Sequence, residues 1–315
     1  MRVFKREFAR THCPDAEWPQ FLGKVSLGEP FIIETASENW PNGPISVEGI
    51  KEGDAIAVHI ENIVPVGPFT CPNGGPFHDG TGQGLPLTLK DGYFIFPDRF
   101  HLKCEPSVGN IAVLPQRNNE SLGYSQQTLK TDYHGSFRGW RRLVNDLRGK
   151  HSHQDAKWIR EGSILHLRTQ VDEAGLCAAD VHGYIGEGEC AFGAIEIVAD
   201  VQLRVERSHG WYVDWPLIET QDEIMVCCSC PCGNLFKNPP ETRYVDLVRE
   251  AYRALREVVA KRINGTIQDA NPIVATAMDL RNCAIYGLKG FVAERESTGD
   301  YDLSVVAALP KHVFV

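Results

Sequence analysis

Short stretches of alternating apolar and polar residues fill the first two thirds of the chain. Residues 50–60 and 159–169 each place apolar side chains at every second position after a Glu-Gly pair. In residues 201–206, valine and leucine alternate with glutamine, arginine and glutamate. A period of two is typical of strands that bury one face. Because no helical pattern separates these strands, they favour a β-sandwich over a doubly wound α/β fold.

The apolar period lengthens to that of a helix over about residues 242–263. Asn264 and Gly265 supply a left-handed stop after it. A second helix is predicted to open near Asn271-Pro272, because proline suits the first turn of a helix. The apolar positions of the first helix are Tyr244, Leu247, Val248, Ala251, Leu255, Val258 and Val259.

Together these patterns predict a mainly β fold, a β-sandwich of the α+β class with C-terminal α-helices packed on it. One domain is expected over residues 1–315, with a β-rich part over about 1–235 and a helical, then short-strand part over about 236–315. The apolar face of the long helix suits packing within the chain or a dimer contact, and a homo-oligomer of two or more chains is predicted.

Composition and charge narrow the function classes. With 43% hydrophobic and 23% charged residues, the chain has the composition of an ordinary globular protein. Its net charge of −9 argues against nucleic acid or an anionic membrane as a partner. Residues 1–11 are basic without an apolar core, so no secretory signal is predicted and a cytoplasmic location is expected. The sequence lacks the usual phosphate-loop, serine-elbow and dinucleotide signatures, which argues against common kinases, serine hydrolases and dehydrogenases.

Residues 180–189 combine acids, a histidine and three glycines in one short segment. Asp180 and His182 are two positions apart, so on a strand their side chains face the same side and reach one ion. A tight glycine turn after them would return Glu187 and Glu189 to the same place. Such a group suits a hard or borderline cation such as Zn²⁺, and a solvated glycine-rich turn is the alternative interpretation.

A second polar group, His151-Ser152-His153-Gln154-Asp155, precedes the strand predicted over 163–169. His153 and Asp155 again lie two positions apart. For an isolated group of this kind, a surface loop with two free histidines is the favoured interpretation. Metal binding gains weight only if the fold brings the group beside Asp180 and His182.

Cysteines are densest at Cys227, Cys228, Cys230 and Cys232. The C-x-x-C spacing within this group is typical of zinc or redox chemistry. However, four thiols so close together cannot easily all reach one tetrahedral ion, and no second pair follows. A buried strand that uses cysteine as a small apolar residue is therefore favoured, with thiol chemistry as the alternative.

Motifs along most of the chain resemble those of the acetamidase/formamidase family of metal-dependent amide hydrolases. Residues 43–54 resemble its early strand pair, residues 106–115 a glycine segment bounded by prolines, and residues 154–163 a later aspartate segment. The most specific likeness is residues 180–196, which resemble the signature that runs from Asp-x-His through Gly-x-Gly-Glu to Ala-Ile-Glu.

The chain departs from the family pattern in three segments. The family's Gly-Gly-Asn before the aspartate is His151-Ser152-His153 here, and Ala179 replaces a glycine. In the family's Gln-Gly-Asp-Gly-Glu run, Ile185 replaces glutamine and Glu187 replaces aspartate. His153 adds a potential ligand, and Glu187 lengthens a carboxylate by one methylene. An amide other than formamide or acetamide therefore stays open as the substrate.

The resemblance implies a hydrolase that cleaves the C–N bond of a small linear amide, giving a carboxylate and ammonia by means of water that a metal activates. Asp155, Asp180 and His182 would hold the divalent ion, with His153 as a further ligand. Zn²⁺ is expected first, with Ca²⁺ or another divalent ion as the alternative.

Three glutamates remain for catalysis. Glu189 is the first choice of general base, Glu187 is the other catalytic candidate or a further ligand, and Glu196 either binds the ion or supports its ligands. The expected partner is a small amide, with neither nucleic acid nor membrane. The alternative function is a non-catalytic β-sandwich that binds a ligand or partner and holds a structural ion.

Overall fold

Strands dominate the computed structural model, which describes residues 1–9, 20–36, 41–73, 84–97, 100–114, 154–190, 193–210, 214–230, 240–285 and 303–314. Two α-helices follow most of the strands, α1 (Pro240–Arg262) and α2 (Ile267–Ala277). The strands of this part of the chain are β1 (Arg2–Phe4), β2 (Lys24–Val25), β3 (Pro30–Glu34), β4 (Asn42–Val47), β5 (Ala55–Cys71), β6 (Leu85–Lys90), β7 (Tyr93–Ile95), β8 (His101–Lys103), β9 (Ser107–Ala112), β10 (Ile164–Arg168), β11 (Ala174–Tyr184), β12 (Ile195–Arg207), β13 (Leu217–Glu219), β14 (Glu223–Cys230), β15 (Asp279–Ala284) and β16 (Leu303–Pro310).

The strands form one branched, largely antiparallel sheet. Its main path runs β15, β16, β14, β13, β10, β5, β12, β11, β4 and β2. Strand β9 pairs with β11, strand β3 pairs with β1 and β12, and β6 to β8 branch from β5. Parallel pairing in the described part is confined to β1 with β3 and β2 with β4. The predicted mainly β fold is thereby confirmed.

The long antiparallel pair of β5 and β12 lies at the centre of the sheet. Val201, Leu203 and Val205 of β12 are fully buried in the main core, whereas the polar residues between them are partly exposed. The period-two pattern predicted from the sequence is thus present, and these side chains supply apolar area whose burial stabilises the fold by about 25 cal/mol per Å².

The C-terminal part of the sheet is apolar on both faces. In β14, Met225 and Cys227 belong to the main core, whereas Val226 and Cys228 belong to a second core beneath the helices. Strand β16 divides in the same way. A sheet covered on both faces reads as a continuous apolar run, which is the pattern of residues 305–309.

The apolar face of α1 packs within the chain. Its buried side chains contact β14 and β16 in the second core, so this face is used within the chain. The predicted homo-oligomer and the predicted single domain stay predictions. Neither described helix combines the length and apolarity needed to cross a membrane. The buried side chains of α1 are Leu247, Ala251, Ala254, Leu255, Val258, Val259 and Ala260.

Helix α2 begins earlier than the sequence pattern predicted. The Thr266 side chain accepts the Asp269 backbone N–H, and the Asp269 carboxylate accepts the Thr266 backbone N–H. This reciprocal capping box satisfies two donors of the first turn and starts the helix at Ile267. Pro272 therefore lies inside the helix rather than in its opening turn.

A polar bridge ties the C-terminal segment to the sheet. The Glu219 carboxylate of β13 lies 3.2 Å from His166 Nε2 of β10 and 2.6 Å from Lys311 Nζ. The hydrogen bond with His166, supported by Lys311, lowers the pKa of Glu219 to about 2 although partial burial opposes the shift.

We expect Glu219→Gln to lower the free energy of unfolding at pH 7 by about 1–3 kcal/mol. Because the folded-state pKa of Glu219 is lowered to about 2, its stabilising charge is present above the ordinary value of 4.5 and lost as the pH falls towards 2. Urea unfolding of the variant and wild type should therefore converge between these pH values.

Glu105→Gln is the matched control for this bridge. Glu105 forms an exposed ion pair with Lys103 at 3.1 Å, so its loss should change stability by less than about 0.5 kcal/mol at any pH. Equal effects of the two substitutions would contradict the importance of the Glu219 bridge.

Candidate metal centre

Strand β11 places Asp180 and His182 on one face, as their spacing predicted. The two side chains are 5% and 1% exposed, and His182 Nε2 lies 3.5 Å from Asp180 Oδ1. Antiparallel pairing on both sides of β11 fixes their positions. The cross-strand neighbours of His182 are Ser107 on β9 and Glu196 on β12.

The segment 154–155 joins this face from a distant part of the sequence. The Gln154 and Asp155 backbone N–H groups both donate to the Gly109 carbonyl at 3.0 Å. The Gln154 side-chain amide also pairs with the backbone N–H and carbonyl of Ile111, each at 3.1 Å. Gln154 thus extends the hydrogen bonding of β9 through its side chain and thereby fixes the position of Asp155.

Gly109 leaves the space into which the site residues fit. The register of β9 against β11 puts it opposite Asp180. A Cβ atom at Gly109 would lie 2.7 Å from His182 Cε1 and 3.0 Å from Asp155 Oδ1. It would also lie 2.8 Å from the Asp180 backbone oxygen, which cannot move freely. A larger residue is therefore incompatible with this arrangement.

Glu189 enters the site from the loop between β11 and β12. The loop is held on β15, because Gly188 N–H donates to the Asn282 carbonyl at 2.8 Å and Ile285 N–H donates to Gly188 at 3.0 Å. Gly188 has a φ of +90°, so this glycine does make the predicted turn. Gly183 has another role, since it lies within β11 and packs against Phe94.

Two overlapping groups result, and His182 belongs to both. One ligand atom each from Asp155, Asp180 and His182 lies within 4.8 Å of the others, and the same holds for His182, Glu189 and Glu196. Asp180 Oδ1 and Glu196 Oε2 approach the same nitrogen, His182 Nε2, at 3.5 and 3.8 Å. An acid from each group therefore approaches the Nε2 atom of His182.

Left-handed backbone marks three of these acids. Asp155, Asp180 and Glu189 have φ values of 45°, 61° and 44°. Residues with a Cβ rarely adopt this region, and it costs about 1–3 kcal/mol where the surroundings impose it. Three such residues converging on one histidine indicate that the fold selects the position of the acids at the expense of local stability.

Burial and mutual repulsion shift the pKa values of the group. Burial and the charge of Asp155 raise the pKa of Glu189 well above its ordinary value. Burial raises the pKa of Glu196 to about 7, although His182 opposes the rise. Burial alone would lower the pKa of His182, but the charges of Glu196 and Asp180 raise it well above its ordinary value. Such a group gains from a compensating cation.

The side-chain atoms fit a divalent cation. Glu189 Oε2 and Glu196 Oε2 are buried and make no hydrogen bond to any described residue. Each unmet buried polar group costs about 1–3 kcal/mol, which a bound ligand can offset. Imidazole nitrogen with carboxylate oxygen is a donor set that suits Zn²⁺, Mn²⁺ and similar ions.

Glu187 is a predicted site residue that is described but is not part of these groups. Glu187 is exposed, and its Oε1 pairs with Lys157 Nζ at 2.7 Å. His153 lies outside the described residues, so its predicted role as a ligand stays a prediction. In a loop, alternate residues need not share a face, which is why the turn brings Glu189 inward and leaves Glu187 at the surface.

The cysteine group is largely structural where it is described. Cys227 and Cys228 are fully buried on opposite faces of β14, as a strand of small apolar residues requires. The side chain of Cys230 and all of Cys232 lie outside the described residues.

Sequence reasoning missed the supporting residues Gly109, Gln154 and Ser107. Gly109 and Ser107 stand in the glycine segment 106–115, but their closeness to His182 follows only from the register of β9 with β11. Gln154 is next to Asp155, yet its amide rung to Ile111 depends on long-range packing.

Comparison with known proteins supports the motif resemblance. Residues 107–217 match the model of the acetamidase/formamidase family. The matched segment contains Asp155, Asp180, His182 and Glu196, together with Glu189. The resemblance indicated by the motifs is thereby confirmed over this segment. No curated protein sequence matches the chain significantly.

Solved structures share the fold over nearly the whole chain. A predicted acetamidase/formamidase of Thermoanaerobacter tengcongensis is 19% identical with a TM-score of 0.75, and the match covers 99% of this chain and 96% of that one. An acetamidase of Bacillus halodurans is 18% identical with a TM-score of 0.73, covering 99% and 98%. An acetamidase of Yersinia enterocolitica is 20% identical with a TM-score of 0.72, covering 100% and 93%. These structures therefore show that the chain shares their fold over nearly its whole length.

Gly109→Ala should destabilise the fold and weaken metal binding together. The added Cβ must displace His182 or the Asp180 backbone, and such overpacking costs about 1–3 kcal/mol. Denaturant unfolding and Zn²⁺ titration of the purified protein measure the two effects.

Gly186→Ala provides the control in the same region. A Cβ there meets nothing within 4 Å, so neither stability nor Zn²⁺ affinity should fall. Wild-type Zn²⁺ affinity in Gly109→Ala would show that the close approach at Gly109 does not shape the site.

Proposed function

We propose that the protein is a metal-dependent amidohydrolase that cleaves the C–N bond of a small linear amide, similar to formamide or acetamide, to a carboxylate and ammonia. The observation that carries this proposal is the convergence of four buried or half-buried acids on His182 within the segment that matches the acetamidase/formamidase family. A site of this composition fits amide hydrolysis better than a merely polar turn, because its acids face inward rather than water.

The proposed ligands are Asp155, Asp180 and His182, with Glu196 at 3.8 Å from His182 Nε2 as a further candidate. Zn²⁺ is the first choice, because the set joins one imidazole to carboxylates. When bound, a divalent ion supplies Lewis-acid chemistry, polarising the amide carbonyl and lowering the pKa of water. His153 is proposed as an additional ligand from its place in the sequence.

Glu189 is the proposed general base. Its side chain is 8% exposed and lies beside the proposed ligand His182. Glu189 can therefore accept the proton of the attacking water and return it to the departing nitrogen, which must leave as a neutral amine. Its Oε2, which no described residue binds, is available for both transfers.

Glu196 is the alternative proton carrier. Ala194 N–H holds its Oε1 at 3.0 Å, which leaves Oε2 directed to the site. A carboxylate oxygen in this position can accept and release a proton. Glu187 is proposed to act from outside the group, because its ion pair with Lys157 links the loop of Glu189 to the segment of Asp155.

The first test is ammonia release from formamide, acetamide and longer primary amides by the Zn²⁺-loaded protein. We expect hydrolysis that a chelator abolishes and added Zn²⁺ restores. If the loaded protein binds the ion but hydrolyses none of the amides, the site is that of a binding protein with a structural ion.

Three substitutions distinguish a metal ligand, the general base and a residue that takes no direct part in the reaction. Asp180→Asn should lower the metal content measured by elemental analysis, and asparagine tolerates the left-handed backbone at this position. Glu189→Gln should retain the ion but lower kcat by about 10²–10⁴.

Glu187→Gln is the matched control for Glu189→Gln. The side chain is exposed and pairs with Lys157, so metal content should be unchanged and kcat should fall only about twofold to threefold. An equal loss of turnover in the two glutamine variants would contradict the assignment of the base.

A further inference from the structure

Four polar residues lie side by side across four strands at the candidate site. Thr70 of β5 is opposite Glu196 of β12, which is opposite His182 of β11, which is opposite Ser107 of β9. Directly opposed residues of antiparallel strands point to the same face of a sheet, with Cβ atoms about 4.5–5.5 Å apart. Ser107 therefore flanks His182 on the side away from Glu196.

The Ser107 hydroxyl is buried without a hydrogen-bond partner. The residue is 1% exposed, and no described residue bonds its Oγ. Other buried serines are satisfied, since Ser163 Oγ donates to the Arg160 carbonyl at 2.6 Å and Ser304 Oγ donates to the Gln154 carbonyl at 3.0 Å. A buried hydroxyl that stays unmet is costly and calls for an explanation.

Orientation of the histidine is not that explanation. His182 Nδ1 also lacks a hydrogen bond within the described part of the chain, so Ser107 and this nitrogen do not bond each other. An alanine would fill the same place beside His182 without leaving an unmet polar atom. The hydroxyl is therefore available to bind a group that the described chain does not supply.

We propose that Ser107 is a substrate-binding residue, whose hydroxyl hydrogen-bonds the amide group of the substrate beside His182. This inference rests on the proposed amidohydrolase function. An amide carries a carbonyl acceptor and N–H donors, and a hydroxyl is able to match either of them. The bond satisfies Ser107 only while substrate is present, so it contributes to recognition and not to the stability of the free protein.

Ser107→Ala tests the proposal through an unusual combination of results. We expect kcat/KM for the best amide to fall between about fivefold and hundredfold, as the loss of one hydrogen bond predicts. Zn²⁺ affinity should be unchanged, and the Tm of the metal-free protein should be unchanged or raised, because an unmet polar atom is removed. Ser107→Thr, which keeps the hydroxyl, should recover much of the lost kcat/KM.

Ser304→Ala is the matched control. It removes a buried hydroxyl that is already bonded, so its Tm should fall. If Ser107→Ala lowers the Tm as Ser304→Ala does, or keeps the wild-type kcat/KM, the proposal is wrong.

Failure of the proposed function gives a different result. If the Zn²⁺-loaded wild type hydrolyses no amide, acetamide binding to wild type and Ser107→Ala is compared by calorimetry. Weaker binding by the variant supports the role of Ser107 in a binding protein, and equal binding or none overturns it.

Discussion

The pairing of β9 with β11 at Gly109 is the contact on which the candidate site depends. The Gly109 carbonyl accepts two backbone N–H groups and so fixes the segment of Asp155. The missing side chain of Gly109 allows His182 and the Asp155 carboxylate to approach the same point. Gly109 thus holds the segment of Asp155 through its backbone carbonyl. Because it has no Cβ atom, it also leaves the space that Asp155 and His182 occupy. The site is built on strands rather than on loops alone, which favours precise placement of its ligands.

Much of the fold could be predicted from the sequence because its strongest signals are local. Val201, Leu203 and Val205 alternate within one strand, and the apolar face of α1 repeats every three to four residues, so neither needs knowledge of distant partners. Asp180 and His182 were found for the same reason. The start of α2 was predicted too late, because the prediction depended on Pro272 whereas the capping box of Thr266 and Asp269 begins the helix at Ile267.

The rest of the site depends on contacts between residues far apart in the chain. Asp155 was expected near His182 only through a family resemblance, and its hydrogen bonds to Gly109 follow from packing. Ser107 carries no local signal, since its role depends on the register that places it opposite His182. Glu187 and Glu189 look equivalent in sequence, and only the docking of the loop on β15 distinguishes them.

The site is a local weakness that the remainder of the sheet must support. Three features each raise the free energy of the metal-free protein. They are the acidic residues with left-handed backbone, the repulsion between neighbouring carboxylates and the buried polar atoms without hydrogen bonds. A cation would offset several of these terms together, because it satisfies lone pairs and compensates charge at the same place. Binding of such an ion must then increase stability by mass action, since the unfolded chain does not assemble the site. The main core, which contains Val108, Val181 and Ile197 from the three strands of the site, holds these residues together before any ligand is bound.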